Sequence, residues 1–367
     1  MKDPVNGISP RPVRIAGLLM AVVFLALTVV RIHAQIQPGP IPPPENRQPP
    51  QASSGQIEKK APGPVISVET ALVSLDVLVT DEDGLVLAGL KKENFRVLDE
   101  GKPQTITHFE PVGAPITIVM LMEYSGSAYD YFAYKAASWG STLLNHLEPK
   151  DYLALVTYDI KPTVRVDFTR NRATVQDALN TLSYPQFHEA NLFDALIDTL
   201  DRLKRVKGKT SILLVGTGAN TMSQSTLDDT IRRIKESDTT IFSVGVAEAE
   251  YQSAEMQQSG GSSLSYLQAK NQLQTFAKLS GGTAWFPRFE GEIPDIFRSV
   301  AAFLRNQYRI GFSPANLKHD GKYHKLKVEI VRPDGSQLIV TNPKGKQQKP
   351  EVYTREGYTA PKGPAKK

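Results

Sequence analysis

Few stretches of this sequence gather residue types that do chemistry. Asp81-Glu82-Asp83-Gly84 sets three carboxylates within four residues. Hard oxygen donors at that density suit a calcium ion, but a calcium loop spreads its ligands over about twelve residues and closes on a bidentate Glu, and no such register follows. A hairpin turn is the expectation there. Gly216-Thr217-Gly218-Ala-Asn-Thr221 follows an apolar run, as phosphate-cradling loops do. It lacks the third Gly and the later acidic residue of a dinucleotide fingerprint, so it reads as a loop at a sheet edge. The histidines (His33, His108, His146, His188, His319 and His324) form no metal-binding pair spacing. With no cysteine in 367 residues, disulfides, thiolate metal sites and a cysteine nucleophile are excluded. No Gly-x-Ser-x-Gly elbow, Walker loop or kinase set is present. Nothing in the sequence argues for an enzyme.

The elements that carry these loops follow from hydrophobic periodicity. Val73, Leu75, Val77 and Val79 alternate with polar positions, predicting a half-buried strand. Phe95–Leu98 and Thr105–Phe109 read as further strands around the Glu100-Gly101 turn, and the unit spans 65–114. Then Ile116–Met122 (ITIVMLM) is an apolar run of the kind buried in a parallel sheet. Phe132, Ala136, Trp139, Leu143 and Leu147 recur at helical spacing. Strands at 152–158, 164–168, 211–215, 241–246 and 283–286 alternate with helices at 173–182, 192–206, 226–236, 271–279 and 293–305. The segment 248–268 is polar. This order predicts a doubly wound, Rossmann-like parallel sheet with helices on both faces over 115–305. Strands return over 306–360, at 307–312, 326–330, 338–340 and 352–358. Small sheets are marginal alone, so the two flanking β segments are expected to pair as a small β-sandwich with the α/β domain inserted between them.

Charge and the amino terminus bound the function class. The formal net charge is +5, but residues 1–64 hold 7 basic and 3 acidic residues, 343–367 hold 7 and 2, and 65–342 hold 29 and 33. The folded body is mildly acidic, which excludes nucleic-acid binding by a basic face. Lys2, Arg11 and Arg14 precede the uncharged run Ile15–Val30, and Ala34 follows. Residues 1–34 therefore read as an export signal cleaved after Ala34, or as an uncleaved inner-membrane anchor. Either way the remainder is exported, periplasmic or secreted, and membrane contact is confined to 15–30. Residues 35–64 are a Pro-rich linker, and 361–367 are a basic tail.

At this point the stretch 115–305 resembles a von Willebrand factor A domain. The diagnostic loop after its first buried strand is Glu123-Tyr124-Ser125-Gly126-Ser127, where that family carries Asp-x-Ser-x-Ser. Residues 66–360 resemble the bacterial VWFA-related acidobacterial domain family. The matching segments are Leu90-Lys-Lys-Glu93-Asn94-Phe95, Gln307-Tyr308-Arg309-Ile310-Gly311-Phe312-Ser313-Pro314 and Glu356-Gly357-Tyr358-Thr359-Ala360-Pro361.

The resemblance implies an adhesion site at the carboxyl edge of the sheet, where two serines, a threonine and two aspartates hold one Mg²⁺ or Mn²⁺. Such ions need near-octahedral oxygen donors at about 2.0–2.1 Å. Ser125 and Ser127 match. Glu123 replaces the first Asp, Ala190 stands at the threonine position with Asn191 beside it, and Thr217 replaces the second Asp. The implied site is a degenerate one, expected to bind no cofactor, with Mg²⁺ or Mn²⁺ as the alternative. In the metal-free reading Ser125 and Ser127 cap a following helix. Tyr124, Phe187 and His188 are the expected partner-binding residues of the apex. The reading is an exported, non-catalytic module that binds a protein or extracellular polymer through this apex. The alternatives are an envelope assembly protein with an inert apex, and an enzyme with an unrecognised site.

Overall fold

The structure is a computed structural model and describes residues 72–111, 113–126, 135–247, 260–314, 320–342 and 345–361. The expectations for residues 1–64, for Ser127 and the helix start near Asp130, and for the tail beyond 361 lie outside the described residues.

Four strands come first: β1 (Val73–Thr80), β2 (Phe95–Asp99), β3 (Lys102–Gln104) and β4 (Ile106–Glu110). The sequence predicts no strand at β3, because Lys102-Pro103-Gln104 has no apolar alternation. Register places it instead: Glu100 and Gly101 both take positive φ (47° and 78°), the two-residue hairpin geometry that folds β3 back onto β2. β1 departs from the half-buried expectation, since both of its faces are covered. Val73, Leu75, Val77 and Val79 face a β core. On the other face Asp76 lies near Lys209 and Arg309.

The alternating series follows as β5 (Ile116–Glu123), α1 (Ala136–His146), β6 (Tyr152–Tyr158), β7 (Pro162–Thr169), α2 (Arg172–Asn180), α3 (Leu192–Leu203), β8 (Lys209–Gly216), α4 (Leu227–Lys235), β9 (Thr240–Gly245), α5 (Gly260–Ser280), β10 (Ala284–Trp285) and α6 (Ile293–Arg305). The sheet order is β10-β9-β8-β5-β6-β7, parallel throughout except for β7 at one edge. β5, β8 and β9 are buried along their whole length, which is why they read as continuous apolar runs. Helices cover both faces: Trp139, Leu143, Phe297 and Val300 pack on one, and Phe193, Leu196, Leu200 and Phe276 on the other. Each fully buried Leu or Phe contributes roughly 1.5–3 kcal/mol. Local signals set the helix ends. Asn171 caps α2 through Ala173 and Thr174, and Thr226 with Asp229 forms a capping box on α4. α5 begins at residue 260, well before the expected 271. Its first half is polar, and polarity alone does not separate an exposed helix from a loop.

β11 (Tyr308–Phe312), β12 (Tyr323–Ile330), β13 (Val340–Thr341), β14 (Gln347–Gln348), β15 (Glu351–Tyr353) and β16 (Gly357–Thr359) follow among the described residues. β11 lies between β1 and β4, and β12 lies beside β2. Two four-stranded sheets, β15-β1-β11-β4 and β16-β12-β2-β3, thus interleave strands from before and after the α/β series. They share one core of Leu75, Val77, Phe95, Tyr308, Ile310, Phe312, Val328 and Tyr358. The single last strand expected over 352–358 is in fact two short strands. They belong to different sheets, and Thr354-Arg355-Glu356 crosses between them.

Candidate functional site

Strand register brings the site together. Glu123, the last residue of β5, pairs with Tyr158 on β6, and Met122 pairs with Val215 on β8. Glu123, Tyr158 and the loop after Gly216 therefore meet at the carboxyl edge of the sheet, where ligands collect in open α/β folds.

Glu123 is fully buried. Its Oε1 accepts the Ser125 hydroxyl at 2.7 Å. Its Oε2 accepts both the Thr217 backbone N–H at 2.7 Å and the Thr217 hydroxyl at 2.8 Å. The Tyr158 hydroxyl stands beside the same carboxylate. Burial pushes the Glu123 carboxyl up from its ordinary value, with the bonds from Ser125 and Thr217 pulling the other way. Burial, reinforced by the neighbouring Glu123 charge, pushes the Tyr158 phenol well up. Gly216 leaves room for this cluster, because a Cβ there would sit 2.7 Å from the Tyr158 hydroxyl and 2.8 Å from Glu123 Oε2.

The loops around the cluster are cross-tied. Asn191 lies beside it on the α3 entry, but its amide is spent elsewhere: Nδ2 donates to the Ile160 carbonyl and Oδ1 accepts from the Met222 N–H. The one side-chain oxygen it could offer an ion already accepts that N–H. The Ala190 N–H donates to the Thr221 hydroxyl and its carbonyl accepts the Thr221 N–H, Asn220 caps α3 through the Phe193 N–H, and Asp194 accepts from Gln224 and Ser225. Asn220, Thr221 and Asp194 carry no motif, and only contact across the fold reveals their part. Tyr158 had a sequence signal, a polar tip ending a buried strand.

The three expected apex residues fare differently. Tyr124 is a correction: it is 5% exposed, its N–H donates to the Tyr158 carbonyl, and the Arg165 guanidinium lies 5.5 Å over its ring. Phe187 is 40% exposed, and its carbonyl accepts the Gly126 N–H. His188 is exposed and lies directly against Gly126, where a Cβ would collide with the imidazole. Exposed Ile160, Tyr184 and Met222 stand on the neighbouring loops at the same edge.

For a divalent ion the donor set is poor. Both Glu123 oxygens already accept hydrogen bonds, Thr217 brings a donor where a carboxylate is needed, and Ser127 lies outside the described residues. Among the described residues no three His, Asp or Glu side chains converge on one point.

The family model for the von Willebrand factor type A domain matches residues 117–278. No curated protein matches the chain. Solved structures similar to it include the hypothetical protein BatB from Bacteroides thetaiotaomicron, 11% identical, covering 52% of this chain and 98% of that one with a TM-score of 0.38. The vWF domain of the type V pili tip protein Mfa5 from Porphyromonas gingivalis is 12% identical, covering 52% and 95% with a TM-score of 0.41. Proximal thread matrix protein 1 from the mussel byssus, with a zinc-occupied MIDAS motif, is 12% identical, covering 55% and 48% with a TM-score of 0.39. The parallel sheet, the helices on both of its faces and the matched sequence agree: residues 117–278 of this chain are a von Willebrand factor type A domain.

Proposed function

We propose that this chain is an exported, non-catalytic interaction module. Its A domain engages a protein or extracellular polymer through the carboxyl edge of the sheet, and it does so without a metal ion. The supporting observation is the contrast at that edge: a buried carboxylate closed by Ser125 and Thr217, beside exposed Ile160, Phe187 and Met222. A metal-dependent site keeps its carboxylates open to the ion and partner. This one turns its carboxylate inward and leaves apolar side chains outward, and exposed apolar patches mark interaction surfaces. Export rests on the apolar run 15–30 and the Pro-rich spacer behind it.

The test is site-specific photo-crosslinking on the exported chain in chelator. A crosslinker at Met222 is expected to capture a partner, and one at Lys150, near the opposite sheet edge, is expected to capture none. Equal capture from both positions, or capture from Met222 only after Mg²⁺ is added, sinks the metal-free apex reading.

A further inference from the structure

The end of the parallel sheet opposite the apex meets the outer face of β1 and β11, and polar groups are buried there. Side chains alternate along a strand, so Tyr308 and Ile310 enter the sandwich core while Gln307 and Arg309 turn toward the A domain. Asp76, the register partner of Arg309, turns the same way. Among the described residues both Asp76 oxygens, both ends of the Gln307 amide and Arg305 Nη1 are buried with no hydrogen-bond partner. Buried polar groups are nearly always paired, so a cluster of exceptions needs a physical reason.

Charge at this junction leans positive. Arg305 is spent on Asp151, and Lys209 donates to the Leu304 carbonyl. The acid facing Arg309 is Asp76, whose Oδ1 stands 3.9 Å from Nε, too far for a hydrogen bond. Burial pushes the Asp76 carboxyl up from its ordinary value, toward a neutral acid that balances no charge. Beside Arg309 lies a cavity of about 340 Å³. Thr210 and Thr239 line it, both buried, and their hydroxyls bond each other at 2.9 Å. One proton makes that bond, so the second hydroxyl proton is left for a ligand. Of the acids around the cavity, Asp201 is held by Arg233 and Asp238 by Arg355, which leaves Glu236 against Lys204. The surplus charge is the Arg309 guanidinium, a planar fork that matches the oxygens of a carboxylate or phosphate.

We propose that this cavity binds a small oxyanion, a carboxylate or a phosphate group, on the Arg309 guanidinium. The threonine pair supplies one hydroxyl donor, Asp76 in its acid form supplies another, and Lys204 attracts the anion from the exposed side. The site lies at the far end of the sheet from the apex and does not depend on what the apex binds.

Calorimetric titration of the full chain with inorganic phosphate and with succinate, each against chloride at matched ionic strength, tests this. Saturable binding of at least one of them, at a single site per chain, is expected. Arg309→Lys keeps the charge but loses the fork, and is expected to weaken that binding about tenfold. Lys204→Gln changes an exposed residue, leaves the fold intact and is expected to weaken it about threefold. Saturation by phosphate alone assigns a phosphate group, and saturation by succinate alone assigns a carboxylate. Heats that match chloride at millimolar anion overturn the site, and so does binding that both variants leave unchanged.

Discussion

Thr217 gives both its backbone N–H and its hydroxyl to one oxygen of Glu123, at 2.7 and 2.8 Å, across 94 residues of sequence. Each residue on its own looks like damage to an adhesion site. Together they are complementary: the longer Glu side chain reaches the loop where a second carboxylate would stand, and Thr supplies a donor where Asp would supply repulsion. The charge an ion would balance is met by hydrogen bonds.

Thermal unfolding in millimolar Mg²⁺ or Mn²⁺ is expected to match unfolding in chelator, because an ion that binds only the folded state must raise the melting temperature. Thr217→Asp is expected to destabilise the chain by about 3 kcal/mol by placing a second carboxylate against a buried one, and added Mg²⁺ to restore part of the loss. A melting temperature that rises with metal in the unmodified chain would falsify the closed-site geometry.

Glu123 carries a pH signature. Its folded-state pKa is raised, so its contribution is fully present below the unfolded value and is lost as pH rises through the folded one. Glu123→Gln cannot titrate. The stability of the unmodified chain relative to this variant is therefore expected to fall as pH climbs above about 4.5. Denaturant midpoints across that range measure it, and a constant difference counts against the burial argument.

Lys209 runs in the opposite direction. It is buried at the start of β8, donates to the Leu304 carbonyl at the end of α6, and has its pKa lowered to about 8, first by burial. Between about pH 8 and 10.4 the unfolded state binds the extra proton, so this residue adds stability as pH rises, up to about 3 kcal/mol. Lys209→Met is expected to flatten that slope in urea titrations. An unchanged slope would mean that the lysine is not buried as a cation.

Gly216→Ala tests the crowding at the apex directly. The new methyl must displace Glu123 or Tyr158, at about 1–3 kcal/mol. Full retention of the melting temperature would show that the cluster is looser than these contacts require.

The architecture was largely legible because it is written in local patterns. Apolar runs such as Ile116–Met122 mean burial on both faces whatever else the chain does, and the spacing of Leu192, Leu196, Leu200 and Leu203 means one buried helical face. The motif loop after β5 and the glycines around Thr217 were likewise visible by position. Three things needed the tertiary structure. Tyr124 sits in the motif like a contact residue, yet it is buried, with Arg165 from a later strand over its ring. The segment 352–358 reads as one strand, yet it divides between two sheets because the A domain stands against its middle. Glu123 reads as an altered ligand until register sets it beside Tyr158 and Thr217. Periodicity reports how deeply a residue is buried. Which polar group it meets there depends on strand order and register, and those emerge only when the whole sheet is assembled.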